Sequence, residues 1–207
     1  MLPSAFVANA RRQSRKDFLA AYGDTQLLLV RLDDASGELA VGLAAASTAA
    51  GERLKPTHDA LGFATVLESS LSAAQAAKAA SPRNRNYDAT TLETQLVRTP
   101  HFVAPLRKRP TAGKPFVERV SVGRAHNNDI VLRHSSVSKF HAWLECDEER
   151  VFYVGDAKSK NGTKVNGQPV TGSQLVQLEA GAEIRLGQIT TTICPPDTFW
   201  DAIVGRD

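Results

Sequence analysis

From about residue 98 onward the chain leaves no room for long helices: nine short strand-like runs follow one another, separated by turns rich in Gly, Asn, Asp and Pro. They cover residues 101–106, 116–122, 129–132, 141–146, 151–154, 163–165, 174–178, 183–186 and 189–193. Alternation is clearest at 141–146, where Ala142, Leu144 and Cys146 take one face and His141, Trp143 and Glu145 the other. Short strands at this spacing predict an all-β C-terminal domain, a sandwich of two antiparallel sheets. Its functional groups then belong on loops at one end.

The first half reads differently. Residues 5–22 predict an amphipathic helix, with Phe6, Val7, Ala10, Phe18, Leu19 and Tyr22 opposite Arg11, Arg12, Arg15 and Lys16. Residues 27–32 and 38–43 predict a hairpin around Asp33-Asp-Ala-Ser-Gly37, and residues 61–80 hold Ala-rich helix formers. Residues 81–95 show no apolar periodicity. The organisation expected is a smaller α/β or mainly helical N-terminal region (1–80), a linker (81–97), the β domain (98–195) and a C-terminal tail (196–207).

Charge narrows the function classes. The net charge is only +3 over 207 residues, too little for general nucleic-acid affinity. Residues 1–115 carry fifteen Lys and Arg against ten Asp and Glu, whereas residues 116–207 carry ten against twelve. An anion site in the second half must therefore be built locally. Cys146 and Cys194 stand apart from any ligand-spaced cluster, which predicts neither disulfide nor metal site. The first residues lack the order of a secretory signal, and no apolar run reaches the roughly 18 residues of a membrane span. A cytoplasmic protein without cofactor is expected.

The groups for binding are concentrated in two loops. Arg124 offers a planar fork of donors, Ser138 a hydroxyl and a backbone N–H, and Lys139 a second cation. A phosphate carries nearly two negative charges and several acceptor oxygens, and these residues suit it. His141 lies near Ser135, Ser136, Ser138 and Asp156, but no Gly-x-Ser-x-Gly elbow accompanies them, so no catalytic residue is assigned.

Gly123-Arg124, Asn128-Asp-Ile-Val-Leu132, Ser136-Val-Ser-Lys-Phe-His-Ala142, Asp156-Ala-Lys-Ser-Lys-Asn-Gly-Thr-Lys-Val-Asn-Gly167 and Leu178-Glu-Ala-Gly-Ala-Glu-Ile-Arg-Leu-Gly187 together resemble the forkhead-associated (FHA) domain in order and spacing. The resemblance implies an eleven-strand β-sandwich that binds phosphothreonine peptides through loops at one end. It implies phosphopeptide contacts from Arg124, Ser138, Lys139, Lys160 and Asn161, with Asn161 bonding the ligand backbone. Gly123, His141, Gly162 and Asn166 would shape the loops. Residues 133–136 would read the ligand three positions after the phosphothreonine. Lys160 departs from the family's usual Thr or Ser.

Small bacterial regulators of the family carry a phosphorylatable Thr-Thr pair upstream of the domain, and Thr90 and Thr91 stand in a similar place. The function implied is an adaptor in Ser/Thr-kinase signalling whose partners are phosphothreonine proteins, with no small-molecule substrate. The other reading is a regulator whose basic N-terminal helix binds nucleic acid or membrane, with the FHA domain as a phospho-switch, its ligand then including the chain's own Thr90 or Thr91 captured in cis.

Overall fold

The computed structural model describes residues 5–32, 40–43, 78–79, 87–99, 101–108 and 119–205. Two sheets face each other. The first has strand order β10-β9-β12-β13-β1-β4, formed by β1 (Leu27–Arg31), β4 (His101–Pro105), β9 (Thr163–Val165), β10 (Gln168–Pro169), β12 (Glu183–Leu186) and β13 (Ile189–Cys194). The second has order β2-β6-β5-β7-β8-β11-β3, formed by β2 (Ala40–Leu43), β3 (Lys78–Ala79), β5 (Arg119–Gly123), β6 (Ile130–Arg133), β7 (Ala142–Cys146), β8 (Phe152–Asp156) and β11 (Leu175–Leu178). Pairing is antiparallel except at β5–β6 and β3–β11. The described strands number thirteen, against the eleven implied by the resemblance.

The alternation at 142–146 sets the layers. Ala142 and Leu144 enter the inter-sheet core with Leu28, Val30, Val122, Ile130, Leu132, Val154, Ile184 and Leu186, and Cys146 packs against it. Trp143 faces outward beside Tyr153 and Leu175. Its indole lies over Gly155, where a Cβ would come within 2.4 Å of the ring. The Arg119 guanidinium sits 5.2 Å from the Trp143 ring and bonds Glu145 at 2.9 Å.

Several expectations for the flanking regions are corrected. The helix foreseen over 5–22 is two, α1 (Ala5–Ala10) and α2 (Arg15–Tyr22), because Ser14 caps the second by accepting the Asp17 N–H at 3.2 Å. Residues 27–31 do not form a hairpin with 40–43. β1 pairs with β13 and β4 in one sheet, while β2 pairs with β6 in the other. The sandwich thus includes three strands, β1, β2 and β3, from the region assigned to a separate N-terminal unit.

The expected linker contains α3 (Ala89–Arg98), which starts where the Asp88 carboxylate accepts the Thr91 N–H at 2.8 Å. Its buried face is Ala89 and Leu92, with Leu96 partly buried. The C-terminal tail holds α4 (Pro196–Val204), begun by Pro at its first position. Of the expected Ala-rich helix, residues 61–77 and 80 lie outside the described residues, and Lys78–Ala79 are strand.

The helices cover the outer face of β1, β4 and β13. Phe18 is fully buried among Phe6, Tyr22, Phe199 and Trp200, with ring centroids 5.0–6.3 Å away. Leu27, Leu29, Val103 and Cys194 form the floor of this cluster from the sheet. Burial pushes the Cys194 thiol up to about 12, and both cysteines are free. Arg15 pairs with Asp201 at 3.2 Å and Arg11 donates to the Ile203 carbonyl, so two cations of the basic helix tie it to α4.

If this layer is continuous with the sandwich, Phe18→Ala will destabilise the whole unit by about 3–5 kcal/mol through the cavity it leaves. Urea denaturation should then show one transition at lower midpoint. A separate early transition would mark the helices as an independent unit.

Candidate functional site

Four loops meet at one end of the sandwich: residues 124–129 between β5 and β6, 134–141 between β6 and β7, 157–162 between β8 and β9, and 187–188 between β12 and β13. Irregular backbone exposes polar groups that need partners, and here the loops partner one another. Arg124 N–H donates to Ser138 O at 2.9 Å and Ala125 N–H to Lys139 O at 3.0 Å. The buried Asn128 amide donates to both Ala125 O and Lys139 O, at 2.8 and 2.7 Å. Gly123 is required beneath this junction, since a Cβ would stand 2.4 Å from Lys139 O.

His141 sits at the centre, fully buried. Its Nδ1 accepts the Ser138 N–H at 3.0 Å, and its Nε2 lies 3.2 Å from Gly162 O. That pattern fixes the neutral ring with its proton on Nε2. Burial holds its pKa below the usual 6.5 against opposing pulls from Gly162 and Asp156. The same bond corrects one expectation: the Ser138 N–H is engaged by His141 and is not a donor for a ligand.

The Ser138 hydroxyl oxygen accepts the Lys160 N–H at 3.0 Å, which leaves its own proton to donate outward. Arg124 is exposed, and its Nε is anchored on Val137 O at 3.1 Å, so the rest of the fork faces away from that carbonyl. Lys139 and Lys160 are exposed on the neighbouring loops. Asn161 is exposed and spends one amide N–H on Ser136 O at 2.7 Å, keeping Oδ1 and a second N–H. Gly162 follows at φ +74, a left-handed conformation that favours glycine.

These five residues therefore gather around one end of the fold, with Gly123, His141 and Gly162 behind them. Asn166 does not join them. It lies in the β9–β10 turn at φ +48, where its Oδ1 accepts the Glu183 N–H at 2.8 Å, and it braces the opposite end.

Thr90 and Thr91 are also remote. They occupy the first turn of α3, and Tyr87 just before it packs on Gly181, whose N–H bonds Ile193 O at the far end of β13. They lie in a helix where a linker was expected, and β13 alone separates that end from Gln188 by about 17–20 Å.

Sequence reading passed over three positioning groups. Asn128 joins two loops. The Asp156 carboxylate accepts from Ser159 N–H, Ser159 Oγ and Thr163 Oγ1 at 2.6–2.9 Å, which folds the 157–162 loop. Ser136 N–H and Oγ lie 3.2 and 2.7 Å from His134 Nδ1, and Gln188 N–H donates to Ser136 Oγ at 3.0 Å. His134 is therefore occupied in holding its own loop, whereas Arg133 is exposed beside it. The sequence signal was an Asp or Ser two or three residues from another short polar side chain, the pattern of local side-chain-to-backbone bonds.

The order of glycines, asparagine and buried histidine on these loops coincides with a family pattern: residues 120–187 match the model of the FHA domain. This segment is an FHA domain. Among solved structures, one from a study of phosphothreonine-dependent FHA domain interactions is 29% identical, covering 45% of this chain and 83% of that one, with a TM-score of 0.37. Mycobacterium tuberculosis EmbR, in complex with a low-affinity phosphopeptide, is 31% identical over 38% of this chain and 20% of its own, with a TM-score of 0.35. The FHA domain of CT664 from Chlamydia trachomatis is 25% identical over 45% and 83%, with a TM-score of 0.35. No curated protein matches the chain. Among the described residues no helix is long and apolar enough to cross a membrane.

The His141 geometry sets a pH dependence of FHA-domain stability. With its folded pKa depressed by burial, the unfolded chain takes up a proton first as pH falls. His141 therefore contributes its full stability above the unfolded value of 6.5 and loses it as pH drops toward the folded pKa. Denaturation series from about pH 7.5 to about pH 5 should show this decline, shallower in His141→Gln. Equal slopes would remove His141 from that role.

Proposed function

We propose that the loop end captures a phosphorylated threonine on a partner protein, and that the protein is an adaptor in Ser/Thr-kinase signalling that binds without turnover. The observation that carries this reading is the disposition of Arg124 and Ser138. The guanidinium is held from behind by Val137 O, and the hydroxyl is held through its oxygen by Lys160 N–H, so both present donors outward from one rigid junction. Fixed donors with a cation suit a dianion with three acceptor oxygens. Lys139 and Lys160 add charge, and Asn161 has the atoms to bond an extended backbone. The FHA family's binding of phosphothreonine peptides supports the same assignment.

The reading favours partners in trans over capture of Thr90 or Thr91. Those threonines sit in a capped helix at the opposite end, so capture in cis requires α3 to unwind. It also leaves the basic N-terminal helix a packing role, since Arg11 and Arg15 are engaged with α4.

Calorimetry with a phosphothreonine peptide library tests the proposal, with phosphoserine and unphosphorylated versions as controls. Arg124→Ala should lose a charged hydrogen bond of about 1.5–3 kcal/mol, about ten- to a hundredfold in affinity. The threonine methyl should favour phosphothreonine over phosphoserine by about fourfold, the worth of one buried methyl group. Undiminished binding by Arg124→Ala would overturn the site.

A further inference from the structure

At the end of the sandwich opposite the loops, a cavity of about 230 Å³ lies between the sheets, and the loop-end site makes no use of it. Its floor is Leu106, Val120, Leu144 and Phe152, all four of them members of the inter-sheet core. Thr25 and the half-buried Cys146 line its sides. An apolar floor with a few polar groups above it is the usual make-up of a small-molecule site, and an apolar cavity of about 150 Å³ already holds benzene.

The charged side chains that complete the lining differ in how they are engaged. Arg107 pairs with Asp24 at 2.6 Å, Lys108 with the buried Asp129 at 3.2 Å, and Glu145 with Arg119 at 2.9 Å. Among the described residues Arg150 has no carboxylate within ion-pair distance, and its guanidinium donates to one carbonyl, Asp24 O, at 2.5 Å. Glu148 and Glu149 stand on the same turn but do not line the cavity. Arg150 also sits at φ +65, a left-handed conformation that disfavours a long side chain. Its charge reaches the cavity wall: burial raises the pKa of the Cys146 thiol, and Arg150 opposes the rise. The β7–β8 turn thus accepts backbone strain and places beside an apolar hollow a cation whose charge no ion pair neutralises.

We propose that this cavity binds a small monocarboxylate with an apolar body, of the class of medium-length straight-chain acids. The carboxylate meets Arg150, and the body lies on Leu106, Val120, Leu144 and Phe152. Each methylene added on the floor is worth about fourfold in affinity until the cavity is filled. The charge contact at the exposed rim adds about fivefold and shrinks with salt. Such a ligand touches the turn between α2 and β1, the segment after β4 and the β7–β8 turn together, so it fastens the helical layer to the second sheet. The site is separate from phosphothreonine capture and does not depend on it.

Cys146 supplies the readout, because it lines the cavity whereas Cys194 is fully buried. The rate of Cys146 alkylation by iodoacetamide is measured on the native full chain, as a ratio to the rate without additive. Butanoate, hexanoate and octanoate are the probes, with octanol and octylamine as neutral and cationic counterparts. Wild type is compared with Arg150→Gly, in which glycine accepts the turn conformation while the cation is removed.

Protection should strengthen by about fourfold per methylene from butanoate upward. Octanoate should protect the wild type at about fivefold lower concentration than octanol, with octylamine the weakest. In Arg150→Gly octanoate should fall to the level of octanol, and octanol itself should be unchanged. Octanoate should also raise the thermal midpoint of the wild type, as any ligand of the native state does. No protection by octanoate, equal protection by octylamine, an octanoate advantage that survives in Arg150→Gly, or a lowered midpoint would each overturn the proposal.

Discussion

The loop end depends on one buried imidazole. His141 bonds four separate segments: its N–H reaches Val122 O on β5, its carbonyl accepts the Ala157 N–H, its Nδ1 accepts the Ser138 N–H, and its Nε2 donates to Gly162 O. Removing such a group strands donors and acceptors in a place water reaches poorly, at about 1–3 kcal/mol for each one left unmatched. Arg124, Ser138 and Asn161 have no regular secondary structure to hold them. Their relative positions follow from this residue and from Asn128, Ser136 and Asp156, which tie the same loops from the sides. A histidine that resembles a catalyst in sequence thus has both ring nitrogens committed to backbone.

The outer face of the first sheet is organised by a different force. The faces of β1, β4 and β13 away from the core are apolar and would face water without a cover. α1, α2, α3 and α4 provide it through Phe18, Leu92, Phe199 and Trp200. Because α1 and α2 precede the sandwich and α4 follows it, the two ends of the described chain are joined by aromatic packing. The loop-end side chains and this apolar layer occupy different parts of the sandwich.

The strands that alternate cleanly were legible in the sequence. The expected 163–165 and 183–186 are the observed β9 and β12, and the inward and outward faces at 142–146 are as the alternation says. What was not legible is pairing. Leu27, Leu28, Leu29 and Val30 are all buried, so the run reads as a strand covered on both faces, but nothing local says that its neighbours are β13 and β4, at 70 or more residues' separation. The helix breaks were in the sequence and needed a finer reading: Ser14 and Asp88 each stand three residues before a backbone N–H that they cap. At the site, residue types singled out Arg124, Ser138, Lys139, Lys160 and Asn161, which the fold gathers at one end, whereas the engaged Ser138 N–H became visible only with His141 placed beside it.

Under the proposed function, charge placement explains how a chain with a net charge of only +3 draws an anion to one end. Arg124, Arg133, Lys139, Lys158 and Lys160 are exposed at the loop end, while Glu148 and Glu149 are exposed on the β7–β8 turn at the other. Within roughly one Debye length, about 8 Å at physiological ionic strength, a ligand at the loops senses mainly the cations. Further away it meets a molecule with little net charge and gains almost no attraction. A carboxylate carries half the charge of a phosphate and cannot fill three acceptor positions at once, so weak long-range attraction combined with dense local donors favours the phosphorylated residue over the acidic surfaces common on proteins. Selectivity of this kind needs rigid loops, because a mobile set of cations would respond to any negative charge within reach. The buried hydrogen bonds of His141 supply that rigidity.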